Sequence, residues 1–174
     1  RIVFFSADLR QQREVNRLAG EIGTYLEQAC GGRLDVLISN AGFVTSWYST
    51  TEEGYEQQFA LNHLAGFLLT FRLLRYLGAG ARVILTGSNS HKWMKIRWND
   101  IMFQRRYNCL WAYKQSKLCN MLFAAEFNRR FSKRLGIKAF VVDPGLVDTA
   151  IGCKRTGRLT SRFWSLRRRG GVSP

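Results

Sequence analysis

A chain of 174 residues, 46% of them hydrophobic and only two of them proline, is long enough to bury one core and is not composed like a disordered segment. Its 27 basic side chains outnumber its 12 acidic ones for a net charge of +15, which excludes neither nucleic acid, anionic lipid nor a phosphorylated cofactor as partner. No run approaches the roughly 18 apolar residues of a membrane span, and the opening stretch is not a basic leader, so a soluble, cytoplasmic protein is expected.

In chain order, residues 2–6, "IVFFS", form a short apolar run expected as a strand ending at Asp8. From Arg10 the period changes: Val15, Leu18, Ala19, Ile22 and Leu26 recur at helical spacing until the Gly31-Gly32 pair stops the helix. "DVLIS", 35–39, is a second buried strand, followed by Asn40-Ala41-Gly42. Thr50 with Glu53 offers a capping box for a long apolar helix over 55–77 that ends before Gly78. "ARVILT", 81–86, is a third strand, and an irregular stretch rich in Trp, Arg and Asn follows it. A helix is expected over 112–135 with Gly136 at its end, then a fourth strand, 137–142, broken by Pro144-Gly145.

Apolar strands alternating with amphipathic helices predict an α/β fold, an incomplete Rossmann-like parallel sheet with helices on both faces in three layers. Residues 1–152 would form this domain and 153–174 a basic flap or tail; residues 151–174 carry seven basic side chains and no acid. No recognisable nucleic-acid motif accompanies that cluster, so nucleic acid is not expected as a partner, whereas weak contact with a membrane surface is. Cys30, Cys109, Cys119 and Cys153 show no paired spacing, so reduced structural thiols and no metal site are expected.

Right-handed crossovers bring the ends of parallel strands to one edge of the sheet, where open α/β sheets bind ligands. At that edge the sequence places Asp8, Asn40-Ala41-Gly42, Ser88, and Pro144-Gly145 with Thr149. Tyr113 and Lys117, four residues apart, share one face of the following helix and point into the same crevice. A cation within roughly 4–6 Å lowers the pKa of an acidic neighbour by about 1 to 3 units, so Lys117 is expected to acidify the phenol and fit it for proton transfer to and from an alcohol. Alone, this spacing also describes a surface pair with no chemistry.

Taken together and in order, "SADL", "SNAG", "ALNHLAGF", "VILTGSNSH", "YKQSK" and "DPGLVDT" resemble the short-chain dehydrogenase/reductases. "AYKQSKLCNMLFAAEF" and the long stretch between Ser88 and Tyr113 are similar to the retinol dehydrogenase-like branch. The resemblance implies hydride transfer between NAD or NADP and a small-molecule alcohol or carbonyl substrate, with Tyr113 as general acid/base. It implies that Lys117 tunes that group and binds the nicotinamide ribose, that Ser88 donates to the substrate oxygen, and that Asn62 holds a relay water. Asp8 would lie by the adenine, Asn40, Ala41 and Gly42 would support the cofactor, and Pro144, Gly145, Val147 and Thr149 would border its nicotinamide end. It also implies a homo-oligomer built on the helices that include Tyr113.

Gly87 stands where many members of that family have a serine, and Ser39 replaces the first Asn of an Asn-Asn pair. No glycine-rich phosphate loop precedes the first strand, so the chain reads as a fragment that lacks the N-terminal β-α-β unit and the C-terminal pocket segment. By itself it is expected to be poorly soluble and inactive. The alternative is a non-catalytic fragment or binding protein with a basic nucleic-acid or membrane-surface patch. His91 is expected to be satisfied within its loop and His63 to pack. Trp93, Trp98 and Trp111 flank the crevice and would either wall it for a lipophilic substrate or pack in the core or between subunits, and Phe163 with Trp164 would belong to an amphipathic flap or a membrane-surface segment.

Overall fold

The computed structural model describes residues 2–145. Three parallel strands, β1 (Leu34–Ser39), β2 (Leu77–Thr86) and β3 (Lys138–Val142), lie side by side in chain order. The helix α1 (Gln12–Ala29) precedes β1. Between β1 and β2 run α2 (Gln57–Phe59), a π-turn at Ala60–Leu64, α3 (Ala65–Leu73) and a 3-10 turn at Leu74–Tyr76. Between β2 and β3 run α4 (Cys109–Phe127), a second π-turn at Asn128–Ser132 and α5 (Lys133–Leu135).

Strand periodicity divides the sheet into two unlike faces. Leu37, Val83, Leu85 and Ala139 point toward the helices and pack with Leu73, Phe123, Phe127 and Phe131 as one buried core. Their alternates Val36, Ile38, Phe140 and Val142 are exposed on the opposite face. Residues 2–145 thus build two layers, a parallel sheet with helices on one side, and the second helical layer of the expected three-layer sandwich is not formed by them.

Several expected elements take a different form. Residues 2–6 pair with no strand among the described residues: a ladder needs a neighbour, β1 is bonded only to β2, and Ile2 and Phe4 stay exposed. Phe5 rests edge-on against Tyr25, ring centroids 5.9 Å apart. The long helix expected over 55–77 is interrupted, and β2 begins at Leu77, four residues earlier than its apolar run suggested.

The Thr50–Glu53 capping box does not form either. Glu56 is the N-cap of α2, its carboxylate accepting from Gln58 N (3.0 Å) and Phe59 N (2.7 Å). Glu53 instead caps α1 from a distant part of the chain, accepting from Gln12 N (2.6 Å) and Arg13 N (2.8 Å). A carboxylate at a helix N-terminus satisfies orphan N–H groups and meets the positive end of the dipole, so either helix could use this one. The fold decides which.

Candidate active site

The ends of β1 and β2 and the first turns of α4 meet at one edge of the sheet. Thr86 Oγ1, at the end of β2, donates to Asn40 Oδ1 just beyond β1 (2.7 Å), which fixes the two strand ends together. Gly87 follows, with its N–H on Val142 O at 2.8 Å. A Cβ at Gly87 would lie 2.5 Å from Val141 Cγ1, so glycine is what lets β2 turn beside β3 here. Replacing Gly87 with Ala is expected to cost about 1 to 3 kcal/mol through overpacking, read as a lowered denaturant midpoint with an unchanged m-value.

Ser88 caps a 3-10 turn at Asn89–His91, its Oγ accepting from Ser90 N (3.3 Å) and Ser90 Oγ (2.9 Å). The same hydroxyl is near enough to the Tyr113 phenol to lower its pKa. His91 is held by Ser88 O, 2.6 Å from Nδ1, and is satisfied within its loop as expected.

α4 starts at Asn108, whose side chain accepts from Trp111 N (3.0 Å), and its next turns carry Tyr113 and Lys117. Lys117 is only 2% exposed, and its ammonium donates to Thr86 O at 2.8 Å and stands 5.6 Å from the centroid of the Tyr113 ring. Burial pulls the Lys117 pKa down to about 8.

Tyr113 does not behave as the spacing predicted. Burial pushes its phenol above the usual value; the nearby Ser88 hydroxyl opposes this, and the Asp143 carboxylate adds to the rise. The expected acidification by Lys117 is therefore not realised in this geometry. Desolvation is the largest influence on the phenol, and the Lys117 ammonium is engaged with the Thr86 carbonyl.

Asn62 sits in the first π-turn and is buried. Its Oδ1 accepts from Phe43 N (2.9 Å), and its Nδ2 donates to Phe43 O (3.1 Å) and Ser116 Oγ (3.1 Å), pinning the segment after Gly42. The side chain is thus occupied, and the Asn62 carbonyl accepts from Asn120 Nδ2 at 2.9 Å. Gly42 borders this group closely: a Cβ there would be 3.3 Å from Asn62 Oδ1 and 3.6 Å from Lys117 Nζ. Its missing side chain keeps backbone surface open beside the ammonium.

Of the other expected site residues, Asn40, Ala41, Pro144 and Gly145 are solvent-accessible at the same edge, with Gly145 N on Asp143 Oδ1 at 3.0 Å. Asp8 precedes α1, where Arg10 binds both of its oxygens, Nε on Oδ1 at 2.9 Å and Nη2 on Oδ2 at 2.7 Å. Val147 and Thr149 lie outside the described residues, as do Phe163, Trp164 and the whole 153–174 segment.

The tryptophan wall is not built as expected. Trp93 is fully exposed, Trp111 is half-exposed, and Trp98 lines a groove of about 400 Å³ with Phe59, Phe67, Phe71 and Phe123 on the outer side of α3 and α4. Three indoles from one irregular stretch carry no periodicity, so their sequence does not say which side of α4 each will face.

Sequence reasoning also passed over Asn120, Thr86 and Ser116. A signal was present for the first and last. Both are polar residues beside Lys117 on the helix, and both are buried.

The profile of the family described as short chain dehydrogenase matches residues 1–158. Retinol dehydrogenase 12 of Mus musculus is 41% identical over 136 residues, which span 77% of this chain and 42% of that protein. Retinol dehydrogenase 14 of Mus musculus is 41% identical over 122 residues, 69% of this chain and 36% of that protein. Retinol dehydrogenase 13 of Homo sapiens is 42% identical over 136 residues, 76% and 40% of the two chains. The chain thus spans about two-fifths of the length of these relatives.

Among solved structures, the 3-alpha-hydroxysteroid dehydrogenase from Pseudomonas sp. B-0831 complexed with NADH superposes with a TM-score of 0.74 at 20% identity, over 98% of this chain and 71% of that one. An uncharacterised protein from Mycobacterium Paratuberculosis gives 0.69 at 32% identity, over 94% and 55%. With a family profile matching most of its length, the ordered motifs, a parallel Rossmann-like sheet and Ser88, Tyr113 and Lys117 gathered at one sheet edge, this chain belongs to the short chain dehydrogenase family.

Proposed function

We propose that the protein to which this chain contributes is an NAD(P)-dependent oxidoreductase acting on an alcohol or carbonyl group, with Tyr113 as its general acid/base. The observation that carries the proposal is the convergence of Ser88, Tyr113 and Lys117: a phenol beside a serine hydroxyl that acts on its pKa, with a buried ammonium against its ring. Buried titratable groups with shifted pKa values, gathered at the ligand-binding edge of an open sheet, support a site of chemistry. The residues also fit a dinucleotide's nicotinamide end. Gly42 leaves room beside Lys117, the ammonium supplies donors for ribose hydroxyls, and Asn40, Ala41, Pro144 and Gly145 border the same edge. When bound, the cofactor supplies or accepts the hydride.

The chain's own residues handle the proton. Burial keeps the Tyr113 phenol protonated at neutral pH, so the site is poised as a proton donor to a carbonyl oxygen. Ser88 Oγ, beside the same phenol, would turn its single O–H to that oxygen and hold it within reach of Tyr113. Lys117 would orient the ribose through ammonium donors not used by Thr86 O. Asp8 serves the adenine end, its carboxylate set in place by Arg10. The relatives named as retinol dehydrogenases support a lipophilic small-molecule substrate.

The test is turnover of the full-length protein with NADH or NADPH and a series of aliphatic and aromatic aldehydes and ketones, followed by nicotinamide absorbance. Consumption of cofactor that depends on the carbonyl compound is expected, and none with any pairing would overturn the proposal. The 174 residues alone are expected to bind NADPH more weakly than the micromolar range, because among the described residues one sheet face is exposed and the β1 edge is unpaired, leaving apolar surface uncovered. Fluorescence titration of NADPH checks this, and saturation at micromolar concentration would refute it.

A further inference from the structure

Lys117 and Asn120 lie one turn apart on α4 and face the same carbonyl. Thr86 O accepts from Lys117 Nζ at 2.8 Å and, more weakly, from Asn120 Nδ2 at 3.5 Å. Asn120 Nδ2 also donates to Asn62 O at 2.9 Å, and Asn120 is 2% exposed. Both oxygens are acceptors only, so the NH2 side of the amide must face them and Oδ1 must face away. There it meets His63 Nδ1 at 3.0 Å. A carbonyl oxygen cannot donate, so His63 carries its proton on Nδ1. Burial lowers the His63 pKa, against the smaller effect of the Asn120 bond, which suits a neutral ring in this role.

We propose that Asn120, its amide orientation fixed by His63, is a positioning residue that seats the Lys117 ammonium at the Thr86 carbonyl and ties that seat to the π-turn bearing Asn62. The π-turn at Ala60–Leu64 places His63 and Asn62 on either side of this contact. The other titratable groups near the seat are Tyr113, on α4 itself, and Asp143 after β3, whose charge acts on Tyr113. The inference rests on the oxidoreductase reading only in giving Lys117 a function.

The experiment is a pH titration of the full-length protein by lysine-selective 13C NMR, which reads Lys117 without any turnover. Failure of the oxidoreductase reading would therefore leave the result interpretable. In the parent, Lys117 is expected to titrate at about 8. Asn120→Asp puts an anion across a single carbonyl from the ammonium and is expected to raise that midpoint by about 1 unit or more. Should Asn120→Asp fail to fold, His63→Phe removes the donor to Oδ1 among the aromatic neighbours Phe59 and Phe67. It is expected to move both the Lys117 signal and its midpoint, and His63→Gln, which restores an N–H donor, to bring them back toward the parent. A Lys117 titration that stays at its parental position in folded Asn120→Asp, or in His63→Phe, overturns the proposal, as does a His63→Phe shift that His63→Gln leaves unreversed.

Discussion

Replacing Tyr113 with Phe in the full-length protein is expected to lower kcat by about 10³-fold while changing KM little, since general acid–base catalysis contributes roughly 10² to 10⁴. The change removes one hydroxyl and keeps the ring that stands against Lys117. Loss of one hydroxyl is expected to cost about 1 kcal/mol of stability at most, so the variant remains folded and the kinetic effect can be read cleanly. The pH dependence carries a second signature. A phenol pushed upward by burial is an acid over the neutral range, so carbonyl reduction is expected to hold steady there and to fall only as pH climbs toward the raised value. Alcohol oxidation needs the phenolate and is expected to gain with pH over the same interval. Steady-state profiles in both directions check this, and turnover that survives unchanged in Tyr113→Phe would remove Tyr113 from the mechanism.

Lys117→Met is expected to abolish most of the activity and yet to stabilise the protein at pH 7. The folded Lys117 pKa is about 8 against an ordinary 10.5. Between these values the unfolded chain binds more protons than the folded one, so the contribution of Lys117 to stability rises as pH rises through that window. Below pH 8 the burial of the charge is felt in full, on the order of 3 kcal/mol. Methionine fills similar space without charge but forfeits the bond to Thr86 O, worth about 1.5 kcal/mol or more for a charged donor. A net gain of about 1 to 2 kcal/mol at pH 7 is left, shrinking or reversing near pH 10. Denaturant unfolding of both proteins at the two pH values measures it. A variant less stable at pH 7 would mean that the Thr86 and ring contacts outweigh the desolvation of the ammonium. A functional residue that costs stability is the expected trade when a fold holds a reactive cation out of water.

The sequence by itself determined the parts of this protein that depend on near neighbours along the chain. Apolar runs at 35–39, 81–86 and 137–142 lie in β1, β2 and β3, and helical spacing from Val15 to Leu26 lies in α1. The four-residue interval of Tyr113 and Lys117 sufficed to put both on one face of α4, because a helix turns every 3.6 residues whatever surrounds it. Ordered motifs from "SNAG" to "YKQSK" sufficed for the family.

Only the tertiary structure decided the rest. Residues 2–6 had the composition of a strand but no neighbour with which to bond, and Glu53 had two helices to cap and took the distant one. Trp98 went to the outer groove of α3 and α4, away from the crevice. Most tellingly, the direction of the Tyr113 shift reversed, because it is a balance between desolvation and neighbouring charge, and neither depth of burial nor the direction of the Lys117 ammonium is encoded in spacing. The seat that Asn120 and His63 form around Lys117 joins α4 to a π-turn far away in sequence, through contacts that exist only once the sheet has brought Thr86 between them.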